Sequence, residues 1–317
     1  MERKIIFELK TTYYCNLSCN FCVFSKRKKG KSFITDKEIE IIFHSIHKKY
    51  PKVDYFIYSG GEPTIRPNFK KIFSTVQDVI KPKETIVHTN GIKINKLLSA
   101  KNDFAINFSV FYSFHTINPK THYRFTNSNK FATIKSNLLK LINNGVTVFT
   151  NTVVMKPNQH EIEQIGDFLA KSRVKAMEFR FPFGTESLIK KNPWILPDNF
   201  ISIEKQLARL ITKYSDTIDI FIHPSVPCLM KTVNTFNDEE SIKLIEDQSK
   251  LIFKKNVDFY NKKNRFIFLD TRMRIITGNT QQGAINKGED IFTRISSCRS
   301  CIYKNLCLGI PKEFLIK

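Results

Sequence analysis

The chain has 317 residues, 41% of them hydrophobic, and 51 Lys and Arg against 29 Asp and Glu give it a formal net charge of +22. That length and apolar content support one large barrel, alone or with a small appended domain, and no stretch approaches the roughly 18 consecutive apolar residues of a membrane span. Met1-Glu2-Arg3-Lys4 runs straight into an apolar strand with no signal-peptide h-region, so the seven cysteines are expected in a reducing cytoplasm, serving metal or redox chemistry. The basic balance suits anionic metabolites, acidic peptides or nucleic acid. No RNA-recognition signature or zinc-finger helix accompanies it, and a solvated lysine-rich face explains it equally well.

Lys4 to Lys10 reads as a first strand that ends at Cys15-Asn16-Leu17-Ser18-Cys19-Asn20-Phe21-Cys22. The C-x3-C-x2-C spacing sets three thiolates on one tight loop, enough to hold three irons of a [4Fe–4S] cube and leave the fourth open to a small molecule. The other reading is structural zinc, which needs four protein ligands; the first His or Cys after Cys22 is His44. A basic run, Lys26-Arg27-Lys28-Lys29-Gly30-Lys31, follows the loop.

Thr35-Asp36-Lys37-Glu38 is a capping box opening a helix with Ile39, Ile42, Phe43 and Ile46 on one face; His44 and His47 belong to its surface. Val53 to Tyr58 is an apolar strand leading into Ser59-Gly60-Gly61-Glu62-Pro63-Thr64. Its glycines permit close approach of a ligand to the backbone, and Glu62 offers a carboxylate to an ammonium group. Without the cysteine loop the same segment would be an ordinary turn. A second helix follows Pro67, Glu84 to His88 is a strand ending in Thr89-Asn90-Gly91, and Lys93 to Lys101 is a weaker helix. Phe104 to Phe108 reads as a strand ended by Ser109. Phe131 to Asn144 is a helix stopped by Gly145. Strands are expected over Val146 to Val154 and Val174 to Phe181, with a helix from His160 to Lys171 between them, and Asp198 caps a helix running to about Tyr214. Six strand–helix units in sequence predict a parallel sheet with helices outside.

With these residues in place the chain resembles the radical S-adenosylmethionine (radical SAM) superfamily. The resemblance rests on Cys15, Cys19 and Cys22 with Phe21 before the last, on Gly60-Gly61-Glu62-Pro63 and on Thr89-Asn90-Gly91, and it covers about the first 215 residues. It implies an incomplete (β/α)6 TIM-like barrel over residues 1–215, with the cysteine loop, Gly60 to Pro63, Thr89 to Gly91 and Ser109 all on the rim at the C-terminal ends of the strands. It also implies SAM contacts at Ser109, Asn151 and Arg180. SAM would chelate the open iron, one-electron reduction would cleave its sulfonium bond, and a 5′-deoxyadenosyl radical would abstract hydrogen from substrate. An electron donor such as flavodoxin or ferredoxin is the implied partner.

Residues 216–317 break the pattern. They hold Cys228, a polar helix near Asp238 to Asn256, the strand-like Arg265 to Leu269, and the run Cys298-Arg-Ser-Cys301-Ile-Tyr-Lys-Asn-Leu-Cys307. This resembles the SPASM or twitch extensions of the superfamily, a small α+β domain that binds auxiliary clusters. Four cysteines suffice for one auxiliary [4Fe–4S] cluster, with a zinc knuckle as the alternative. Cys228 is either its fourth ligand or a thiol that donates a hydrogen atom to a substrate radical. The gap before the last cysteine is shorter than in the molybdenum-cofactor enzyme of the superfamily, which counts against this being that enzyme. The extension implies modification of a ribosomally made peptide, with or without a separate peptide-recognition protein. The alternatives are radical oxidation or rearrangement of a small molecule or cofactor precursor, and an iron–sulfur scaffold or nucleic-acid-binding protein without SAM turnover.

Overall fold

A computed structural model describes residues 5–22, 35–104, 108–182 and 192–223, together with the backbone of four short strands at 265–269, 275–277, 292–293 and 310–311. Cys228, Cys298, Cys301 and Cys307, the basic run at 26–31 and the expected helix near 238–256 lie outside the described residues. The chain divides into two compact units, the first comprising Met1–Phe114, Thr126–Phe149 and Lys262–Lys287, the second His115–Phe125, Thr150–Asn261 and Gly288–Lys317.

In the first unit the strands β1 (Ile5–Thr12), β2 (Tyr55–Gly60), β3 (Glu84–Thr89) and β4 (Ser109–Ser113) lie side by side in sequence order, and β8 (Arg265–Leu269) flanks β1 on its other side. All these pairings are parallel, with Phe7 opposite Phe56 and Ile267, Ile57 opposite Ile86, and Val87 opposite Val110. A last strand, β9 (Ile275–Thr277), pairs antiparallel with β8. The helices α1 (Asp36–Lys49), α2 (Phe69–Thr75) and α3 (Asn95–Phe104) make the parallel crossings between β1 and β4.

One face of this sheet is packed by aromatic rings. Phe7 stacks on Phe56 at 6.3 Å, Phe43 of α1 meets Phe56 edge-on at 5.8 Å, and Tyr58 stacks on Phe73 of α2 at 5.5 Å. All five are fully buried, and each ring removes a large apolar area from water. The alternate residues of the same strands (Glu8 and Lys10, Ser59, His88) point to the other face. There the Ser59 hydroxyl donates to Glu8 at 2.6 Å and Lys10 pairs with the same carboxylate.

The second unit carries α4 (Pro119–Thr126) up to Phe125, the later part of β5 (Thr147–Val153), α6 (Ile162–Lys171), β6 (Ala176–Arg180), α7 (Phe200–Tyr214) and β7 (Asp219–His223). Strands β6 and β7 run parallel, Met177 opposite Ile220. Helix α5 (Phe131–Asn143), in the first unit, precedes β5.

Two sequence readings are corrected here. Phe104 closes α3, and Ser109, expected to end a strand, instead begins β4. Within β4 Val110 and Tyr112 are fully buried and Phe111 lies on the opposite face. The cap of α7 is Asn199, which accepts from the Ser202 N–H at 3.0 Å, while Asp198 instead accepts from the Gln159 amide at 2.7 Å. The Thr35 capping box forms as its spacing requires: Thr35 accepts from the Glu38 N–H, and Glu38 accepts from the Thr35 N–H. Thr35→Ala removes one half of that exchange and is expected to cost about 1 kcal/mol in urea unfolding.

Candidate active site: the cysteine loop and its two supporting turns

Because β1, β2 and β3 are parallel, the segments that leave their C-terminal ends share one edge: the cysteine loop after Thr12, Gly60 to Pro63, and Thr89 to Gly91. Ser109 does not belong there. It starts β4, and its hydroxyl donates at 3.1 Å to Glu84, the first residue of β3, at the opposite edge. Ser113, the last residue of β4, takes the place on the functional edge that the sequence reading gave to Ser109. The missed signal was the alternation described above.

The ladder between β1 and β2 continues past the strands. The Gly61 N–H donates to the Thr12 carbonyl at 2.6 Å and the Glu62 N–H to the Tyr14 carbonyl at 2.9 Å. This crossing explains Gly61: a Cβ built there would lie 2.0 Å from the Tyr14 carbonyl oxygen. Sequence reasoning reserved that space for a ligand, but the chain's own backbone occupies it. Buried Arg66, just beyond the turn, donates to the Thr11 carbonyl and at 2.7 Å to Asn68. Desolvation lowers its guanidinium pKa to about 10. The far side of the loop is tied down by Asn127, which donates to the Ser18 carbonyl at 3.1 Å, and by the Ser18 N–H, which donates to the Thr126 carbonyl at 3.3 Å.

Glu62 is fully buried, and its carboxylate accepts from four donors: the Thr64 N–H (3.1 Å), the Thr64 hydroxyl (2.7 Å), the Thr89 hydroxyl (2.8 Å) and the Asn90 N–H (2.7 Å). Burial holds its pKa above the usual carboxylate range, and the four bonds offset only part of that rise. Three of these bonds fall on Oε1 and the one from Asn90 on Oε2, so both oxygens are engaged inside the protein and the carboxylate staples the turn after β2 to the turn after β3. Asn90 carries the connection onward. Its amide donates at 2.7 Å to Asn16 and at 3.5 Å to the Cys15 sulfur, which also accepts from the Leu17 N–H at 3.4 Å.

Cys15, Cys19 and Cys22 are half-buried and in no disulfide, and the Cys22 N–H donates to the Cys19 carbonyl at 3.2 Å. Burial pushes the Cys15 thiol above its usual range, with the Glu62 carboxylate adding to the effect. A bound metal would override that preference, since coordination deprotonates a thiol outright. Among the described residues no three His, Cys, Asp or Glu side chains converge on a single ion; in a cube each thiolate takes its own iron. The Asn16 amide nitrogen beside Cys15 is buried and has no hydrogen-bond partner among the described residues. A sulfide-rich cluster, which accepts hydrogen bonds, fits such a donor.

In the second unit Asn151 lies on β5 and Arg180 ends β6. The Asn151 amide oxygen is buried and unpartnered among the described residues, whereas Arg180 donates to Glu178 at 3.0 Å.

A parallel α/β sheet with a three-cysteine loop at the C-terminal end of its first strand defines a cluster-bearing barrel enzyme class. The family description that matches residues 9–169 is the Radical SAM superfamily, and the chain belongs to it. Members of this family use S-adenosylmethionine and a [4Fe–4S] cluster. A GTP 3′,8-cyclase of Haemophilus influenzae (strain PittGG) is 28% identical over 178 residues, covering 55% of this chain and 51% of that protein. A GTP 3′,8-cyclase of Synechocystis sp. is 28% identical over 211 residues, 64% of this chain and 61% of that one. The chain thus spans about half to three-fifths of the length of these curated relatives. Streptococcus suis SuiB bound to S-adenosylmethionine superposes with a TM-score of 0.65 at 14% identity, over 99% of this chain and 74% of that one. The enzyme anSMEcpe with bound AdoMet and Cp18Cys peptide gives 0.65 at 13% identity, over 97% and 88%. These likenesses show the fold, the incomplete barrel of the radical SAM enzymes.

Glu62→Gln sets an amide NH2 among groups that are themselves donors. It is expected to lower the unfolding free energy of the metal-free protein by about 1–3 kcal/mol in a denaturant titration.

Proposed function

We propose that this chain is a radical SAM enzyme whose Cys15, Cys19 and Cys22 hold a [4Fe–4S] cluster with one open iron. The observation that supports this reading is the continuous bonding from Cys15 through Asn90 to Glu62, which joins the three family motifs at one strand edge. When bound and reduced by one electron from a flavodoxin- or ferredoxin-class donor, the cluster and SAM supply sulfonium bond cleavage and a 5′-deoxyadenosyl radical. The protein's share is positional. The three thiols anchor the cluster, and the turn at Gly60 to Pro63 presents backbone groups to the methionine end. Thr89 and Asn90 lock that turn, and Ser113 offers a hydroxyl at the same edge. Asn151 and Arg180, in the second unit, are SAM contacts only by the family resemblance.

For the substrate, the curated relatives favour a small molecule, since those of Haemophilus and Synechocystis are named for a cyclisation of GTP. The net charge of +22 suits an anionic substrate of that kind. Modification of a peptide is the second reading. The Cys228, Cys298, Cys301 and Cys307 set supports it, as does the structural likeness to Streptococcus suis SuiB bound to precursor peptide SuiA. In this reading the C-terminal cysteines hold an auxiliary cluster, residues 1–215 form the core and residues 216–317 the extension, and a separate recognition protein presents the peptide.

The test is anaerobic reconstitution followed by assay of 5′-deoxyadenosine with dithionite and SAM. The wild-type protein is expected to release deoxyadenosine, and Cys15→Ala/Cys19→Ala/Cys22→Ala to release none while keeping the auxiliary iron. Cleavage that survives in the triple variant overturns the assignment. Stimulation by GTP with a cyclised nucleotide as product supports the small-molecule reading, and stimulation only by a peptide supports the second. In the triple-variant background, Cys228→Ala is expected to lose the remaining iron, as a fourth ligand of the auxiliary cluster would require.

A further inference from the structure

Resting on the reading of Cys15 as a cluster ligand, we propose that Asn90 is a positioning residue that sets the cluster's reduction potential through an N–H···S bond to Cys15. The sense of the Asn90 amide is fixed. Its oxygen accepts from the Ile92 backbone N–H at 3.1 Å, a group that can only donate, so its NH2 must face the loop. There it reaches the Asn16 side-chain oxygen at 2.7 Å and the Cys15 sulfur at 3.5 Å. The backbone holds the residue independently, since the Asn90 N–H donates to buried Glu62 at 2.7 Å. The side chain is therefore aimed from a fixed base, and changing it leaves the Glu62 bond in place.

Hydrogen bonds to ligand sulfurs stabilise the more electron-rich state of an iron–sulfur cluster and raise its potential. Of the two N–H groups on Cys15, the Leu17 N–H belongs to the loop itself. Asn90 lies just past the end of β3, so its donor reaches the sulfur from outside the loop.

The experiment compares wild type, Asn90→Ala and Asn90→Asp after reconstitution. Asp keeps the shape and the acceptor for Ile92, loses the donor and adds charge; Ala loses the donor without adding charge. Iron and sulfide content and the potential from a mediated titration followed by electron paramagnetic resonance are read on each. The expected result is wild-type iron content in both variants, and the potentials are compared before SAM is added, because Asn90 stands in the SAM-site motif. The potential becomes more negative in Asn90→Ala and more negative still in Asn90→Asp. An unchanged potential in Asn90→Ala overturns the proposal whatever Asn90→Asp does, because charge alone would then explain any shift. Loss of the cluster from a folded Asn90→Ala overturns it too, since Asn90 would then be a structural requirement of the loop. Failure of wild type to assemble a cluster on Cys15, Cys19 and Cys22 strikes the functional reading itself, a separable outcome.

Discussion

A carboxylate with no access to water, at the point where two loops leave the sheet, holds the site together. Burying Glu62 without partners would cost several kcal/mol, so its stability depends on the four donors from Thr64, Thr89 and Asn90 that surround it. Those donors belong to two different connections, one after β2 and one after β3. Satisfying one buried group therefore fixes the relative position of both, and the half-satisfied alternatives are heavily penalised. The Gly61 and Glu62 N–H groups, donating to Thr12 and Tyr14, extend the constraint to the start of the cysteine loop.

The close approach at Gly61 adds a second kind of precision. Gly61, with no side chain, meets the backbone of Tyr14 directly, and backbone cannot rotate aside as a side chain can, so the loop's origin is held close to the turn. Gly91, at φ +78, differs in kind: its backbone packs against the buried Tyr112 side chain, whose ring would meet any Cβ placed there. The reactive edge is thus built from backbone contacts and short polar bonds, and the aromatic layer of Phe7, Phe56, Tyr58 and Phe73 supplies the rigid support behind it.

Much of this was legible in the residues. Cys15, Cys19 and Cys22, the two glycines and Thr89-Asn90-Gly91 declare themselves by spacing, because their chemistry needs those residue types at those intervals. The Thr35 box and the strand at Arg265 to Leu269 were equally plain. What pattern could not supply was register and partnership. The run at 104–112 is apolar almost throughout, so periodicity misplaced the strand and put Ser109 at the wrong edge. Glu62 was read as a group waiting for a ligand's ammonium, because nothing local reveals that donors 27 and 28 residues away will occupy it. The roles of Asn16 and Asn90 are likewise tertiary: an asparagine in a loop looks like turn chemistry until its amide is seen against a sulfur.

The pairing of β8 with β1 changes how the C-terminal region must be regarded. Residues Arg265 to Leu269 supply the second neighbour of the very strand from which the cysteine loop springs. A protein shortened to end after His223 would not simply lack an appendage. It would leave β1 with a bare row of N–H and C=O groups, an edge open to pairing with another chain. Aggregation or a loosened cysteine loop in such a shortened protein would report on the missing strand, and would say nothing about the cysteines removed with it.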